Sequence, residues 1–374
     1  MDLDRLAELV AELGEPPYRV GQVWRWLARG ASSWEQMTDL PLALRRQLAE
    51  RLPLSTLTVI AEARAADGTE KALFHTHDGK PVEAVLMRYR DGRRSLCLSS
   101  QSGCPLTCTF CQTGRMRFGR NLTSWEILDQ ALHFRRREQP THAVFMGMGE
   151  PLLNLDAVLA ACERLPELGI AHRHTAISTV GWLPGIERLA REGPPVRLAL
   201  SLHAPNDALR SELMPINDRY PLAQVLAACR DWWRRRKRQV FIEYLMLTGV
   251  NDRYEQALEL TKLLRPREAF CVNLIPYNPT DAPYRGSSRR AIESFRRTLE
   301  QHGLRATVRV TRGRDIAAAC GQLAARTTAS GETSAPQPSP VSEGGSSGSR
   351  PSARARAQIP AIAAAVARGE RRGA

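Results

Sequence analysis

The sequence lacks any long hydrophobic run. No apolar stretch approaches the roughly 18 to 20 residues that a membrane-spanning helix needs, and the first residues, Met1 to Gly14, form an acidic amphipathic pattern without the apolar core of a signal peptide. From these absences we expect neither an integral membrane protein of the helical type nor a secretory leader. We therefore expect a cytoplasmic protein that makes no membrane contact.

Lysine is scarce, so almost all the positive charge of the chain is arginine. The chain has 374 residues, a formal net charge of +14, a pI near 10.0 and 43% hydrophobic residues, enough for a sizeable core. Arginine suits phosphate groups and base edges better than lysine does, which favours an anionic partner. Charge alone leaves a nucleic acid and an ordinary basic enzyme equally open.

Pattern changes along the chain predict four regions. Residues 1–53 have apolar residues at helical spacing and are expected to form a helical RNA-binding module. Its Trp24, Trp26 and Trp34 could stack on RNA, but aromatic residues in a small helical domain are more often core. Residues 54–97 alternate apolar and polar positions between Asp-Gly turns, which predicts a short antiparallel sheet. Residues 327–374 are rich in Ser, Gly, Pro and Ala and are expected to form a disordered basic tail.

The central region, residues 98–326, alternates apolar strands with amphipathic helices. This pattern is typical of a parallel sheet in the α/β class. About six βα units fit between Leu98 and Val310, fewer than the eight of a closed barrel. The prediction is a partial (βα)6 barrel, preferred to a doubly wound sheet.

Eight cysteines without a secretory leader indicate thiols for metal binding or catalysis. Cys104, Cys108 and Cys111 form a C-x3-C-x2-C triplet after a predicted strand. Three thiolates on one loop can hold three irons of a [4Fe-4S] cluster and leave the fourth iron open. A zinc site would need a fourth ligand, and no second CxxC or paired histidine stands nearby, although a distant residue such as His203 could serve.

The blocks around the triplet carry a more specific resemblance. They are Leu98 to Cys104, Arg120 to Thr123, Gly147 to Asn154, Ile177 to Gly181, Ser201 to Asp207, Met214 to Asn217, Ile275 to Pro279 and Asp315 to Leu323. In this order, and over residues 14–323, the chain resembles the RlmN/Cfr family of radical S-adenosylmethionine (radical SAM) RNA adenine methyltransferases. Two stretches depart from the family's commonest pattern: Gln112 to Arg117 and the long tail.

The resemblance implies a [4Fe-4S] cluster on Cys104, Cys108 and Cys111 and a binding site for S-adenosylmethionine. That site would be formed by Gly149, Glu150, Ser178, Ser201, Leu202, His203 and Asn278. Taken singly, His203 or Asn278 would more often be a structural polar group. Cys162, Cys229 and Cys271 have no motif partners and are expected to be core residues.

The family pattern also gives roles to Cys320, Cys97 and Glu83. In the family's mechanism, one S-adenosylmethionine methylates Cys320, and a second is cleaved to a 5′-deoxyadenosyl radical. This radical takes a hydrogen from the methyl group on Cys320, and the resulting carbon radical adds to the base. Cys97 then resolves the covalent link and leaves a transient disulfide with Cys320, and Glu83 stands at the family's proton-acceptor position. Without the family, Glu83 would be interpreted as an exposed strand carboxylate.

The expected activity is methylation of adenosine C2 in 23S ribosomal RNA and tRNA. The alternative is a Cfr-like enzyme that methylates C8, and the residues 17–24 and 34–41 favour the RlmN branch. A zinc-stabilised RNA-binding protein and a radical activase for a protein partner are rival interpretations. We further expect a monomer and a reducing electron donor such as flavodoxin or ferredoxin.

Overall fold

A single mixed sheet of ten strands runs through the part of the chain that this computed structural model describes, residues 1–325. The predicted tail, residues 327–374, lies outside the described residues. The larger strands are β1 (Leu57–Arg64), β2 (Glu70–Thr76), β3 (Pro81–Arg88), β4 (Arg94–Cys97), β7 (His142–Phe145), β8 (Thr175–Thr179), β9 (Arg197–Ser201), β10 (Val240–Met246), β11 (Phe270–Pro276) and β12 (Arg305–Val308). The short strands β5 (Gln101–Ser102) and β6 (Arg120–Asn121) pair separately.

The sheet changes from antiparallel to parallel at β4. Strands β1 to β4 form antiparallel hairpins, and β4 then pairs in parallel with β7. From β4 the parallel order continues without interruption through β7, β8, β9, β10, β11 and β12. The prediction of an α/β fold is confirmed, and its parallel part has six βα connections between seven strands, as a partial (βα)6 barrel requires.

The Asp-Gly turns fall where the sequence predicted them. Gly68 and Gly92 have φ values of 82° and 86°, a left-handed conformation that glycine adopts without strain. In the first turn, the Gly68 N–H donates to the Ala65 carbonyl at 3.0 Å. These turns fix the register of the hairpins and hence which face of each strand carries which side chain.

Ten α-helices lie in the described residues, three before β1 and seven after β4. They are α1 (Leu3–Glu12), α2 (Tyr18–Arg29), α3 (Leu42–Arg51), α4 (Ser124–Arg135), α5 (Leu155–Arg164), α6 (Leu183–Glu192), α7 (Asp207–Leu213), α8 (Leu222–Arg236), α9 (Tyr254–Leu263) and α10 (Arg289–Gln301). Helix α4 begins with a capping box between Thr123 and Glu126, which satisfies exposed N–H groups at its first turn. None of the helices in residues 1–325 is long and apolar enough to cross a membrane.

The tryptophans of the N-terminal helices are used mainly for packing. Trp24 is buried and meets Trp125 of α4 edge to face at 6.4 Å, while its indole N–H donates to Glu167. The guanidinium of Arg164 lies 5.2 Å from the Trp24 ring. The core interpretation of Trp24 is therefore confirmed, and α2 is fastened to α4 at this point.

Candidate functional site

One large cavity opens at the carboxyl ends of the parallel strands. It encloses about 1420 Å³, including the space at its open mouth. Its wall takes one side chain or more from the end of almost every strand from β4 to β11 and from the segment after β12. Ligands of parallel α/β proteins bind at this edge, because the loops that follow the strands converge there.

The sequence-predicted residues that line this cavity share one feature: each follows or ends a parallel strand, or lies on a loop packed against one. They are Cys97, Cys104, Cys108, Cys111, Gly149, Glu150, Ser178, Ser201, His203, Asn278 and Cys320. Two predicted residues are not part of the wall. The side chain of Leu202 is buried in the main core, and Glu83 lies on β3 beneath the segment that carries Cys320.

The loop of Cys104, Cys108 and Cys111 is held from both sides. The Thr109 N–H donates to the Leu213 carbonyl at 3.0 Å, and a Cβ at Gly114 would come within 3.0 Å of the Leu106 carbonyl. Burial raises the pKa of all three thiols. Buried thiols of this kind become thiolates when a metal replaces their protons.

The donor set fits a [4Fe-4S] cluster. Within residues 1–325, no three His, Cys, Asp or Glu side chains converge on one point as the ligands of a single metal ion do. The three thiols of the loop instead line one cavity wall, and a cluster takes each of its cysteine thiolates at a different iron. The Oδ1 atom of Asn278, buried in the wall of this cavity, accepts no hydrogen bond from any group in residues 1–325.

Glu150 and His203 are polar groups buried in the same wall. Glu150 accepts hydrogen bonds from the N–H groups of Leu152 and Val180, at 3.1 and 2.9 Å, and burial raises its pKa to about 7. Burial lowers the pKa of His203 to about 3, so the ring is neutral, and its Nδ1 accepts from the Leu245 N–H at 3.0 Å. Both side chains are thus fixed in position before any ligand binds.

Gly149 is required by the protein's own packing. Its φ is 96°, and a Cβ there would come within 2.5 Å of the Gln101 side chain. Gln101 in turn accepts the Glu150 N–H at 2.8 Å. The glycine therefore lets Gln101 hold the backbone that presents Glu150 to the cavity.

Cys97 and Cys320 face the cavity from different elements. Cys97 ends β4, and burial raises its pKa to about 12. Burial also raises the pKa of Cys320, while the nearby guanidinium of Arg309 opposes that shift. The Cys320 carbonyl accepts the side-chain N–H of Asn278 at 3.2 Å. All eight cysteines are free thiols in this structure, so the transient disulfide implied by the family is not formed here.

Glu83 is fully buried, which corrects the interpretation of this residue as an exposed strand carboxylate. Its Oε1 lies 3.0 Å from the Nζ atom of Lys71, and its Oε2 accepts from the N–H groups of Ala324 and Ala325 at 3.0 and 3.1 Å. Lys71 also reaches the Ala317 carbonyl at 3.4 Å. The Lys71–Glu83 pair therefore holds residues 317–325, the Cys320 segment, at both of its ends.

Two further arginines of the site had no motif to reveal them. Arg210 is fully buried on α7 and donates to the carbonyls of Val180, Ser201 and Leu202, which end two neighbouring strands. Arg309 follows β12 and lies in the cavity wall, 4.0 Å from Glu243. Arginine in a helix or after an edge strand is usually exposed, so sequence reasoning passed over both.

Cys162, Cys229 and Cys271 are buried in the described structure, as predicted for core residues. None of the three lines the cavity. The eight cysteines thus divide into five in the cavity wall and three in the core.

Known protein families match both the N-terminal helices and the central region of this chain. Residues 98–261 match the Radical SAM superfamily, and residues 1–53 match the ribosomal RNA large subunit methyltransferase N-terminal domain. A dual-specificity RNA methyltransferase RlmN of Anaeromyxobacter sp. (strain Fw109-5) is 48% identical over 91% of this chain and 93% of its own length. A probable one of Moorella thermoacetica is 47% identical over 85% of this chain and 94% of its own.

A solved structure agrees with the sequence comparison. The crystal structure of a radical SAM methyltransferase from Sphaerobacter thermophilus superposes with a TM-score of 0.82 and 45% identity, over 87% of this chain and 98% of that chain. The radical SAM fold predicted from the sequence is therefore confirmed, and similarity at this level over almost the whole length establishes descent. The chain belongs to the RlmN family of radical SAM RNA methyltransferases.

Proposed function

We propose that this chain methylates C2 of an adenosine in 23S ribosomal RNA and in tRNA, with Cys320 as the carrier of the methyl group. The observation that carries the proposal is the placement of Cys97 and Cys320 in the same cavity wall as the thiols of the cysteine triplet. The named relatives are dual-specificity RNA methyltransferases. The match of residues 1–53 to a ribosomal RNA methyltransferase domain supports this branch over the C8-methylating alternative.

The residues of the wall divide between two ligands. Cys104, Cys108 and Cys111 would hold a [4Fe-4S] cluster, and Gly149, Glu150, Ser178, Ser201, Leu202, His203 and Asn278 would hold S-adenosylmethionine. When bound, the cluster supplies the electron that cleaves one S-adenosylmethionine, and a second S-adenosylmethionine supplies the methyl group. Glu150 would accept the ammonium group of the amino-acid end, and Leu202 would contribute its backbone, because its side chain is in the core.

Cys320 accepts the methyl group as a thiolate, the nucleophilic form of cysteine. Burial disfavours that form, and the adjacent Arg309 guanidinium favours it. Asn278 fixes the backbone by its hydrogen bond to the Cys320 carbonyl. After the methylene carbon on Cys320 has bonded to the base, the Cys97 thiolate attacks the Cys320 sulfur and the bond between this sulfur and the methylene carbon breaks. The electron pair of that bond goes to the carbon, which takes up a proton and becomes the methyl group of the released RNA. A Cys97–Cys320 disulfide remains, and two electrons must reduce it before another turnover.

Glu83 would accept a proton from the reacting base late in this sequence. In the resting arrangement its carboxylate is occupied by Lys71 and by the N–H groups of Ala324 and Ala325. The segment that carries Cys320 therefore has to move before Glu83 can act as a base. This order would keep the proton acceptor out of the cavity until the base is bonded to Cys320.

The proposal extends to the roles of the regions, the electron donor and the oligomeric state. The helices of residues 1–53 would contact the RNA, residues 54–97 would extend the sheet, and residues 98–326 would form the catalytic core. A flavodoxin or ferredoxin would supply electrons to a monomeric protein. Ribosomal RNA and tRNA as substrates imply a reaction in the cytoplasm.

The test is a reaction of the iron-loaded protein with S-adenosylmethionine, a reductant and either a tRNA transcript or a 23S fragment. Mass spectrometry of the digested RNA is expected to show 2-methyladenosine with wild-type protein and with Cys271→Ala, a matched cysteine outside the cavity. Cys320→Ala is expected to give none. A product methylated at C8, or activity that survives in Cys320→Ala, would contradict the proposal.

A further inference from the structure

One tyrosine near the cavity has two guanidinium groups over its ring. The Arg93 guanidinium lies 4.4 Å from the centre of the Tyr89 ring, and the Arg312 guanidinium lies 5.1 Å from it. Tyr89 and Arg93 close the hairpin between β3 and β4, where the Tyr89 N–H donates to the Arg93 carbonyl at 2.9 Å. We name these three residues the arginine rim.

The rim joins distant parts of the chain. Arg312 follows β12, at the opposite edge of the sheet from β1. Asp67, in the turn after β1, fixes this approach, since its carboxylate accepts the Gly313 N–H at 3.1 Å and lies 3.8 Å from Arg312. Arg312 itself lines the cavity that contains Cys97 and Cys320. The rim therefore meets the cavity of the reacting thiols at Arg312 and extends to the exposed Arg93 on the hairpin.

Both guanidinium groups keep donors that the described residues do not use. Arg93 is 49% exposed; its Nε donates to Asp91 at 2.8 Å, and no acceptor in residues 1–325 meets its two terminal nitrogens. The Nη1 of Arg312 has one long hydrogen bond to the Asp67 carbonyl, at 3.5 Å, and no acceptor in residues 1–325 meets its Nη2. Ring stacking on Tyr89 orients the two cations without consuming their N–H groups.

The shape of the cavity indicates which part of an RNA substrate these guanidinium donors would meet. The thiols of Cys97 and Cys320 are in the wall of a cavity, so a base can reach them only by leaving its stack and entering. The sugar-phosphate backbone on either side of that base must then remain outside the cavity, where the exposed Arg93 of the arginine rim lies. Paired arginines suit phosphate oxygens because their planar N–H groups bind them in forked geometry.

We propose that Arg93 and Arg312, spaced by Tyr89, bind the phosphate groups that flank the target adenosine when its base enters the cavity. This inference rests on the proposed function and adds to it the contact that positions the RNA. Tyr89 is a positioning residue, which acts through the two guanidinium groups. Within residues 1–325 its hydroxyl has one hydrogen bond, to the Met87 sulfur at 3.7 Å, so the ring and not the hydroxyl orients the guanidinium groups.

The test measures binding of a tRNA transcript to the iron-loaded full-length chain at a series of salt concentrations. Each phosphate contact to single-stranded nucleic acid contributes about 0.7 to the slope of log Kd against log salt. Arg93→Gln and Arg312→Gln are each expected to lower this slope by about that amount and to weaken binding about tenfold near 0.1 M salt. Tyr89→Leu is expected to lose both contacts, and Tyr89→Phe to behave as wild type.

The matched control is Arg297→Gln, on α10. Arg297 is also exposed, at 69%, and is paired with a nearby carboxylate, Glu293, at 3.2 Å. This variant removes one positive charge and is expected to leave the slope unchanged. Arg297→Gln is also expected to methylate Cys320 from S-adenosylmethionine without RNA as wild type does, because Arg297 lies outside the cavity wall.

The inference is overturned if Arg93→Gln and Arg312→Gln keep the wild-type slope, or if Arg297→Gln lowers it as much as they do. A loss of stability with no change in slope would reduce the rim to a structural contact and would also overturn it. The proposed function is judged separately by the wild-type protein. If wild type methylates RNA while the rim variants bind normally, only the rim fails; if wild type produces no methylated RNA, the function fails, and the slopes still decide the rim.

Discussion

Replacing Lys71 by methionine tests the buried ion pair that holds the Cys320 segment. Lys71 is 6% exposed and Glu83 is 0% exposed, with 3.0 Å between their charged atoms. Removing one partner of a buried pair leaves the other charge uncompensated, and this costs about 3–5 kcal/mol. The lower end is expected here, because Glu83 keeps its hydrogen bonds from the Ala324 and Ala325 N–H groups.

The assay is urea unfolding of the iron-loaded protein, compared among four proteins: wild type, Lys71→Met, Glu83→Gln and the double variant. Each single variant is expected to unfold at lower urea. The double variant is expected to lose less than the sum of the singles, since neither charge is then left alone. Lys71→Arg serves as the control, because it keeps a cation on the same strand.

A Lys71→Met free energy of unfolding within about 0.5 kcal/mol of wild type would refute the reasoning. Strict additivity of the two single variants would do so as well, because a pair in contact has to show coupling. Either result would mean that water or another group compensates Glu83. The Cys320 segment would then be held by its other contacts alone.

Four further outcomes are expected. Cys320→Ala abolishes RNA methylation while RNA binding persists, and an active variant would remove Cys320 from its role. Cys97→Ala accumulates a covalent adduct of protein and RNA, seen as a band of lowered gel mobility; release of free methylated RNA would argue against resolution by Cys97. Cys104→Ala loses iron and the broad visible absorption of the cluster after anaerobic reconstitution, and retention of both would exclude Cys104 as a ligand. Burial, with His174 stacked at 4.4 Å, lowers the pKa of His142 to about 4. Between pH 6.5 and 4 the unfolded chain therefore binds a proton that the folded chain does not, so stability falls as pH falls. His142→Asn is expected to flatten that part of the pH profile, and an unchanged profile would contradict this assignment.

The features that sequence patterns predicted depend on short-range chemistry. The Asp-Gly turns define the hairpins because glycine alone adopts their left-handed conformation readily. The triplet of Cys104, Cys108 and Cys111 indicates a cluster because its spacing puts three sulfurs on one loop. The cavity at the strand ends follows from parallel connections, which bring the loops after the strands to one edge.

The residues that went unrecognised act through contacts between distant segments. Arg210 resembles any helical arginine in the sequence, yet it serves three strand-end carbonyls that only the folded sheet brings near it. Arg309 and Arg312 lie near Glu243 and Asp67, which are far from them in the sequence, and only folding of the sheet makes these contacts. No local pattern encodes these distances.

Glu83 is an intermediate case. The register pairs Leu73 with Glu83, and Lys71, two residues before Leu73, lies diagonally opposite Glu83 on the same face of the hairpin. A register drawn from the Asp78–Gly79 turn would have predicted this pair. Its burial could not be predicted, because it depends on the Cys320 segment, which folds back over β3 from far along the chain.

The central claim is that the methyl group passes through Cys320, and isotope labelling tests it most directly. The iron-loaded protein is incubated with S-adenosylmethionine carrying a labelled methyl group, freed of excess, and then given unlabelled S-adenosylmethionine, a reductant and RNA. The account predicts that the peptide containing Cys320 carries the label before RNA is added and that the label then appears in adenosine. Unlabelled Cys320 together with methylated RNA would contradict the account.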